Sequence, residues 1–274
     1  MVSSDEEELG PSHGHENGLN SRRNVEWNPE KVLDTWKKHR GRKRKRAFLE
    51  QVATHSPSGV PIKWKSLALL RGCQWLDDEL VNGYFELIRK RSCHGCQGET
   101  KGLRNIEVFS TFWWTKISEN GTGFNYAGVK RWVHAADLVK KDMILIPINH
   151  SNLHWTLASV DLKEGRIDYF DSMKGHGLSG QAGNHVLKTL KKFVRKLCHE
   201  DRCCQYPRHF AKQVVVQIPG QTDPGSCGVF TCLYAERLSR GMLPPFDFEQ
   251  KDIPRLRNCM AADILQAKIH YSTR

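Results

Sequence analysis

The sequence contains no long hydrophobic run and no secretory signal. None of its apolar stretches approaches the roughly 18 consecutive residues that a membrane-spanning helix needs. The amino-terminal segment MVSSDEEELG is acidic, whereas a signal peptide begins with basic residues and continues with apolar ones. Internal repeats are also absent, and low complexity is confined to the amino-terminal tail. We therefore expect an intracellular, soluble protein that makes no membrane contact.

A disulfide framework is a second feature that the sequence does not support. Nine cysteines are spread over 274 residues, an odd number that leaves at least one unpaired, and their context favours reduced thiols. Two clusters raise the question of zinc, because four Cys or His ligands can close a zinc site. The clusters are Cys93 and Cys96 in CHGC, and Cys198, His199, Cys203 and Cys204. The second cluster lacks the CxxC pair typical of zinc sites, so we expect free thiols, no metal and no cofactor.

The chain carries a clear excess of basic residues. Lys and Arg number 42 against 30 Asp and Glu, and the net charge of +12 suits nucleic acid, an acidic membrane surface or an acidic protein equally well. Many of these residues crowd the stretch KKHRGRKRKR at 37–46. This stretch predicts recognition by a nuclear import receptor and hence a nuclear location. The alternative is a solvated basic linker in a cytoplasmic protein.

Composition divides the chain into three parts. Residues 1–25 contain almost no large apolar side chains, so they cannot repay the entropy of folding and are predicted to be a disordered tail. Residues 26–60 are predicted to form a basic linker or amino-terminal extension. Residues 61–274 are expected to form one globular domain.

Periodicity predicts both helices and strands in this domain. In WLDDELVNGYFELIRK, the apolar residues Leu76, Leu80, Tyr84 and Leu87 recur at helical spacing. A second amphipathic helix is predicted in NHVLKTLKKFVRKLCHE, capped by Asn184 after a glycine-rich segment, and two more in GVFTCLYAERLSRG and RNCMAADILQAKI. Strands are predicted in MILIPI, HWTLASVD, RIDYFDS and QVVVQI, with the hairpin-type link LKEG between the second and the third. VFSTFWWTKI fits either a helix or a strand, and the mixture predicts an α+β fold.

Cys227 is the candidate nucleophile because of its context. It lies in PGSCG immediately before a predicted helix, and a helix amino-terminus stabilises a thiolate. Gly225 and Gly228 leave room for a substrate carbonyl, whose developing oxyanion would meet adjacent backbone N–H groups. The alternative is a small buried cysteine without chemical function.

A nucleophilic cysteine needs a base, and the base needs a carboxylate that orients it. His154 opens the predicted strand HWTLASVD, and Asp171 closes the next one, RIDYFDS. A hairpin of these two strands would place the imidazole beside the carboxylate. We interpret His150, His176 and His199 as solvated or turn residues.

These residues resemble the SUMO-specific proteases, a family of ubiquitin-like-protein-processing cysteine proteases that are similar to papain in site geometry. The family has a Trp after the catalytic His, an Asp in a YxDS-like strand end, a Gln six residues before the Cys and a Gly after it. The matching residues are Trp155, Asp171, Gln221 and Gly228. The resemblance runs from about Trp75 to the carboxyl terminus and includes WLDDELVNGYFELI and FSTFWWTKI followed by VKRWV.

The resemblance implies a papain-like α+β fold of the ubiquitin-like-protease type, with a central mixed sheet flanked by helices in a catalytic domain over 61–274. It also implies four catalytic roles. Cys227 would be the nucleophile, His154 the general base and then acid, Asp171 the orienting carboxylate, and Gln221 the oxyanion-hole donor.

The same resemblance implies a substrate-binding surface. Trp75 and Trp155 would cover a narrow channel that admits only the Gly-Gly tail of the modifier, and Asp77 would belong to the modifier-facing surface. The chain departs from the family at two positions. Ser226 stands where an Asp usually precedes the nucleophile, and Asp223 stands where an Asn is common, which affects contacts around the scissile bond and the preferred modifier.

The predicted function is therefore a thiol protease that hydrolyses the peptide or isopeptide bond after the carboxyl-terminal Gly-Gly of SUMO. It would mature the precursor, release SUMO from target lysines, or do both. The expected partners are SUMO or a related modifier and its conjugates, nucleic acid is not required, and a monomer is expected because the site is complete in one chain. The alternatives are a protease for a different ubiquitin-like modifier and a non-catalytic adaptor or nucleic-acid binder, against which the full Cys, His, Asp and Gln set argues.

Overall fold

The computed structural model describes residues 49–93, 103–135, 137–174, 178–200, 206–207 and 209–270. The strands are β1 Val52–His55, β2 Pro61–Lys63, β3 Ile106–Val108, β4 Met143–His150, β5 His154–Asp161, β6 Arg166–Phe170 and β7 Ala211–Val215. The helices are α1 Trp64–Leu67, α2 Asp78–Cys93, α3 Thr111–Ile117, α4 Lys130–Ala135, α5 Leu178–Glu200, α6 Cys227–Ser239 and α7 Ile253–Gln266. The predicted tail, the basic stretch 37–46, Cys96, His176, Cys203 and Cys204 lie outside the described residues.

A five-stranded mixed sheet lies at the centre of the molecule. Its strand order is β3-β4-β5-β6-β7. The middle strands β4, β5 and β6 pair antiparallel, whereas β3 runs parallel to β4 and β7 runs parallel to β6. In the β5–β6 link LKEG, Gly165 adopts a φ of +66°, a conformation that glycine adopts without a steric penalty. The predicted α+β fold with a central mixed sheet is confirmed.

Helices cover both faces of this sheet because its central strands bury side chains on both sides. On β5, Trp155 and Leu157 belong to the apolar cluster that α2, α6 and α7 share. Ala158 and Val160 belong to the opposite cluster, with α3, α4 and α5. The alternation follows from the two-residue period of a strand.

Helix α6 is buried along its whole length, which places its first residue, Cys227, inside the molecule. The carboxylate of Glu236 near the other end of the helix is also buried, and it lies 2.7 Å from the guanidinium of Arg91 on α2. Because removing one partner of a buried ion pair is strongly destabilising, this pair ties α6 firmly to α2.

The predicted helix α2 forms, and the structure resolves the segment that the sequence left open. Leu80, Tyr84 and Leu87 are buried on one face of α2, as the spacing indicated. The ambiguous segment VFSTFWWTKI contains both kinds of structure, since β3 ends at Val108 and α3 begins at Thr111. At the start of α3, the backbone N–H of Thr111 donates a hydrogen bond of 2.9 Å to Oδ1 of Asn82 on α2.

The predicted start of α5 is wrong. The helix begins at Leu178, so Asn184 lies inside it and caps nothing. Glycines suggested a loop here, but Gly183 serves helix packing instead. A Cβ on Gly183 would lie 2.8 Å from the ring of Tyr169 on β6, closer than real Cβ atoms approach a neighbour, so the absent side chain lets α5 lie close to the sheet.

A hairpin of β1 and β2 precedes the main sheet. Val52 pairs with Lys63, and His55 pairs with Pro61. Ala53 packs against the apolar cluster of α2, α6 and α7. The predicted boundary between residues 60 and 61 therefore cuts through a folded hairpin. No helix in the described ranges is both long and apolar enough to span a bilayer.

Candidate active site

The ends of two neighbouring strands bring His154 and Asp171 together. His154 is the first residue of β5, and Asp171 directly follows the last residue of β6. Leu157 pairs with Phe170 in the antiparallel register, so the two side chains emerge at the same end of the sheet. Nε2 of His154 lies 2.7 Å from Oδ1 of Asp171. This carboxylate oxygen also accepts a hydrogen bond of 2.9 Å from the backbone N–H of Met173, which fixes its position.

The thiol of Cys227 lies beside the same imidazole. Burial disfavours the charged form of His154, but hydrogen bonds with Asp171 and Cys227 outweigh it and raise the pKa of His154 to about 9. Nε2 is used by Asp171, and the other ring nitrogen, Nδ1, is buried without a partner at normal hydrogen-bond geometry among the described residues. Nδ1 is therefore the atom available for the proton of the thiol. The predicted Cys, His and Asp residues form one cluster.

Gln221 is held in a fixed orientation at the edge of this cluster. Its Oε1 accepts a hydrogen bond of 2.6 Å from the hydroxyl of Ser172, and its Nε2 donates one of 2.7 Å to the carbonyl oxygen of Asp223. Because a side-chain amide nitrogen carries two hydrogens, one N–H is left for another acceptor. The arrangement is compatible with the predicted oxyanion role, and it distinguishes the nitrogen from the oxygen of the amide.

Asp223 organises the loop that precedes the nucleophile, a role that the sequence did not reveal. Its carboxylate accepts hydrogen bonds from the thiol of Cys73 at 2.9 Å, the backbone N–H of Gly225 at 2.8 Å and the hydroxyl of Ser226 at 2.7 Å. Nε2 of Gln250 lies 2.5 Å from it. Burial raises the pKa of Asp223, but these donors outweigh burial and lower it. Asp223 and Ser226, the two residues at which the chain departs from the family, are thus hydrogen-bonded to each other.

The two predicted channel tryptophans occupy different environments. Trp155 is 4% exposed and donates from Nε1 to the carbonyl oxygen of Leu76, whereas Trp75 is 45% exposed and donates to the carbonyl oxygen of Pro224. A Cβ on Gly228 would lie 3.2 Å from the indole of Trp155. Trp155 is thus packed against the helix of the nucleophile, and Trp75 is anchored to the loop that precedes it with much of its ring facing solvent.

Asp77 has a structural role at the start of α2. Its Oδ1 accepts a hydrogen bond of 3.0 Å from the backbone N–H of Leu80. This is the geometry of a helix N-cap, which satisfies an N–H group without a helical partner. Asp77 is half-buried, so part of the residue remains accessible beside Trp75.

His150 contradicts its interpretation as a solvated or turn residue. It ends β4 and stacks on His154, with 6.2 Å between the ring centroids. Its Nε2 lies 2.9 Å from the hydroxyl of Thr156 and 3.3 Å from that of Tyr169. Burial and the neighbouring charge of His154 lower the pKa of His150 to about 4. The antiparallel pairing of β4 with β5, which sets His150 opposite His154, was not predicted from the sequence. His199, by contrast, is exposed on α5 as expected.

Metal ligands do not gather in the described part of the chain. No group of three or more His, Cys, Asp or Glu side chains there has the geometry to hold a metal ion. Three members of the two predicted cysteine clusters, Cys96, Cys203 and Cys204, lie outside the described residues. The expectation of free thiols in these clusters therefore stays a prediction.

A buried thiol at a helix start, an imidazole and a carboxylate at two adjacent strand ends, and an amide nearby form the site arrangement of papain-like cysteine proteases. Comparison with known proteins specifies the class further. Residues 74–269 match the Ulp1 protease family, C-terminal catalytic domain. The chain belongs to this family.

Individual relatives agree with this assignment. The chain is 32% identical over 225 residues to ubiquitin-like-specific protease 1A of Arabidopsis thaliana, with 79% of the chain and 42% of the relative covered. It is 31% identical over 205 residues to human sentrin-specific protease 2, with 73% and 31% covered. The chain therefore spans less than half of the length of either relative.

Solved structures support the fold. The C-terminal Ulp1 protease domain, solved in complex with Smt3, the yeast ortholog of SUMO, matches with a TM-score of 0.68 and 24% identity over 88% of the chain and 96% of that domain. The catalytic domain of the Ulp1-like SUMO protease of Chaetomium thermophilum matches with a TM-score of 0.65 and 25% identity, covering 84% and 89%. The papain-like fold predicted from the sequence is confirmed.

Proposed function

We propose that this protein is a cysteine protease that cleaves the peptide or isopeptide bond after the carboxyl-terminal Gly-Gly of SUMO. Cys227 is the nucleophile, His154 the general base and acid, Asp171 the orienting carboxylate and Gln221 the oxyanion donor. The observation that carries this proposal is the 2.7 Å contact between His154 and Asp171, together with the hydrogen bond between the same imidazole and the thiol of Cys227. Family membership and the names of the relatives support the choice of substrate.

The chemistry follows from these positions. The thiol proton of Cys227 passes to Nδ1 of His154, and the thiolate attacks the carbonyl carbon of the last glycine of the modifier. The resulting oxyanion accepts a hydrogen bond from Nε2 of Gln221 and from backbone N–H groups at the start of α6. The imidazolium then protonates the leaving amine, and a thioester remains on Cys227.

Hydrolysis of the thioester completes the cycle. Neutral His154 takes a proton from water, the hydroxide attacks the thioester carbonyl, and the modifier leaves with a free carboxylate. The sulfur recovers the proton from the imidazolium. Asp171 remains ionised throughout and stabilises the positive charge on the ring, which favours the thiolate–imidazolium pair at neutral pH.

Two tryptophans and Asp77 form the proposed entrance for the modifier tail. Trp75 is anchored at Pro224 beside the nucleophile loop, and Trp155 packs against Gly228 directly after Cys227. A tail residue that passes between these rings must have no Cβ, which explains a requirement for glycine. The accessible part of Asp77 is placed to meet the folded part of the modifier.

Labelling with an electrophile tests the proposal. A SUMO whose carboxyl terminus carries a vinyl sulfone is expected to form one covalent adduct with the wild-type protein and none with Cys227→Ala. Cys232→Ala is the matched control, because Cys232 is buried one turn further along α6 and its loss leaves the adduct unchanged. A protein that binds SUMO but forms no adduct would instead be the non-catalytic adaptor.

A panel of fluorogenic substrates identifies the modifier. SUMO paralogues, ubiquitin and other ubiquitin-like proteins, each with a carboxyl-terminal fluorophore, are compared by kcat/KM. The proposal expects SUMO to be preferred at least about tenfold, equivalent to about 1.4 kcal/mol in the barrier. Preference for another modifier would assign the chain to the alternative protease class. Precursor and lysine-linked substrates then separate maturation from deconjugation.

The nuclear location and the monomeric state belong to the same proposal. The basic stretch 37–46 suits an import receptor, and every proposed catalytic group comes from one chain. Nuclear accumulation of a fluorescent fusion that is lost when the lysines and arginines of 37–46 become alanine supports the first point. Light scattering of the purified protein tests the second.

A further inference from the structure

Arg257 of α7 is a buried cation beneath the loop that precedes Cys227. The residue is 2% exposed. Its guanidinium donates to neutral acceptors: the carbonyl oxygens of Leu69 at 3.1 Å, Gln74 at 2.9 Å and Gly225 at 2.8 Å, and the hydroxyl of Ser226 at 3.4 Å. Among the described residues, no carboxylate forms an ion pair with it.

An unpaired buried charge is unfavourable unless another charge offsets it. Burial lowers the pKa of Arg257, and the negative charges that offset this effect are ionised Cys73, the carboxylate of Asp223 and ionised Cys227. The carboxylate of Asp223 is already directed at other donors, with Gly225 at 2.8 Å and Ser226 at 2.7 Å. A guanidinium stays protonated at any working pH, so its positive charge is permanent.

Arg257 contacts both segments that border the proposed channel. Gly225 and Ser226 lead directly into Cys227, and Gln74 directly precedes Trp75. A Cβ on Gly225 would lie 2.3 Å from the carbonyl oxygen of Cys73, so the two segments are in close contact. Arg257 donates hydrogen bonds to both segments where they meet, at Gln74 and at Gly225.

We propose that Arg257 is a positioning residue that also stabilises the thiolate of Cys227, while it holds the nucleophile loop against the segment that carries Trp75. When the thiol proton moves to Nδ1 of His154, the new negative charge on sulfur adds to that of the Asp223 carboxylate in offsetting the buried guanidinium. Arg257 keeps its own proton, so the proton balance is between Cys227 and His154 alone. The catalytic meaning of this inference rests on the proposed protease function.

Other charged groups also act on the sulfur and must be kept constant. His154 and Asp171 face it from β5 and from the end of β6, and His150 lies behind His154. Asp223 and Cys73 lie on the loop side. A substitution of Arg257 alone leaves these groups in place, and it removes the charge that comes from α7.

The rate of alkylation of Cys227 by iodoacetamide, measured between pH 5 and pH 9, tests the proposal. The alkylated Cys227 peptide is quantified by mass spectrometry, with an added synthetic cysteine peptide as an internal reference. At pH 6 we expect Arg257→Met to react about tenfold more slowly than the wild type, with convergence towards high pH. Arg257→Lys has a side chain one atom longer than that of Met and keeps the charge, so its rate is expected to stay within about threefold of the wild type. Equal rates for the Lys and Met variants would overturn the electrostatic role.

Folding is checked by thermal unfolding of both variants, because the hydrogen bonds of Arg257 also contribute to stability. If Arg257→Met does not fold, Ser226→Asp and Ser226→Asn provide a second pair with similar side-chain volume. Asp at 226 neutralises Arg257 and is expected to slow alkylation at pH 6 relative to Asn, and equal rates would contradict the proposal. Alkylation of Cys227 requires no modifier. The alkylation rates therefore test the role of Arg257 even if the protein cleaves none of the modifier substrates.

Discussion

Oδ1 of Asp171 lies 2.7 Å from Nε2 of His154, and the two residues belong to adjacent strand ends of one rigid sheet. The contact leaves Nδ1 of the ring for the thiol of Cys227, so each ring nitrogen has a separate task. A pKa of about 9 for His154 means that the imidazolium is the stable form at neutral pH. The imidazolium that forms when His154 takes the thiol proton of Cys227 is therefore stable at neutral pH.

Replacement of Asp171 by Asn is expected to lower kcat by a factor of about 10⁴, as the same substitution does in a Ser-His-Asp triad. The charge that favours the imidazolium disappears, so the alkaline limb of the pH–rate profile moves from about pH 9 to lower pH. The measurements are kcat and kcat/KM on a fluorogenic SUMO substrate between pH 5 and pH 10. An unchanged alkaline limb would show that Asp171 does not set the charge on His154.

Gln221→Ala is expected to lower kcat by a factor of about 10² to 10³ with little change in KM, as removal of an oxyanion donor does. Ser172→Ala is the matched control. It removes only the hydroxyl that holds Oε1 of Gln221 at 2.6 Å, so a loss of about tenfold or less is expected from one neutral hydrogen bond. Equal losses in the two variants would assign Gln221 to loop structure.

Trp75→Ala is expected to weaken the preference of the enzyme for glycine in the modifier tail. Substrates that end in Gly-Gly and Ala-Gly are compared by kcat/KM, and the ratio of the two values should fall in the variant. Trp132 is a suitable control because it has almost the same exposure, 44% against 45%, and lies on α4. Trp132→Ala should keep the ratio of the wild type. A ratio unchanged in Trp75→Ala would remove Trp75 from the channel.

The sequence predicted those features that depend on short-range pattern. The three central strands and α2, α6 and α7 follow from apolar periodicity, and the meeting of His154 and Asp171 follows from a hairpin. Long-range packing was not predictable. The donors that gather around Asp223 come from distant segments, such as Cys73 and Gln250, and no local pattern relates them.

Gly183→Ala and Gly180→Ala test why α5 begins earlier than its glycines suggested. A Cβ at 183 would clash with the ring of Tyr169, whereas a Cβ at 180 has no neighbour within 4 Å. Gly183→Ala is expected to lower the free energy of unfolding by about 1–3 kcal/mol through overpacking. Gly180→Ala should raise it by up to about 1 kcal/mol through higher helix propensity. Urea unfolding measures both, and equal signs would contradict the packing argument.

Acid stability is expected to depend on His150. Its pKa of about 4 lies below the ordinary value of 6.5, so between these values the unfolded chain binds a proton that the folded protein does not. Stability is therefore lost as the pH falls from 6.5 towards 4. The titration of His154 affects stability at higher pH and in the opposite direction. Its raised pKa contributes stability that is present below pH 6.5 and lost as the pH rises through about 9.

His150→Gln removes the acid-side penalty while it retains a polar group near Thr156, which lies 2.9 Å from Nε2 of His150 in the wild type. The free energy of unfolding of the variant should fall less steeply than that of the wild type between pH 6.5 and pH 4.5. Urea titrations followed by tryptophan fluorescence at several pH values give both slopes. His154, the charged neighbour of His150, stays protonated in the folded protein over this pH range, so the difference between the slopes is assigned to His150. Parallel curves would mean that His150 binds its proton equally well in the folded and unfolded states.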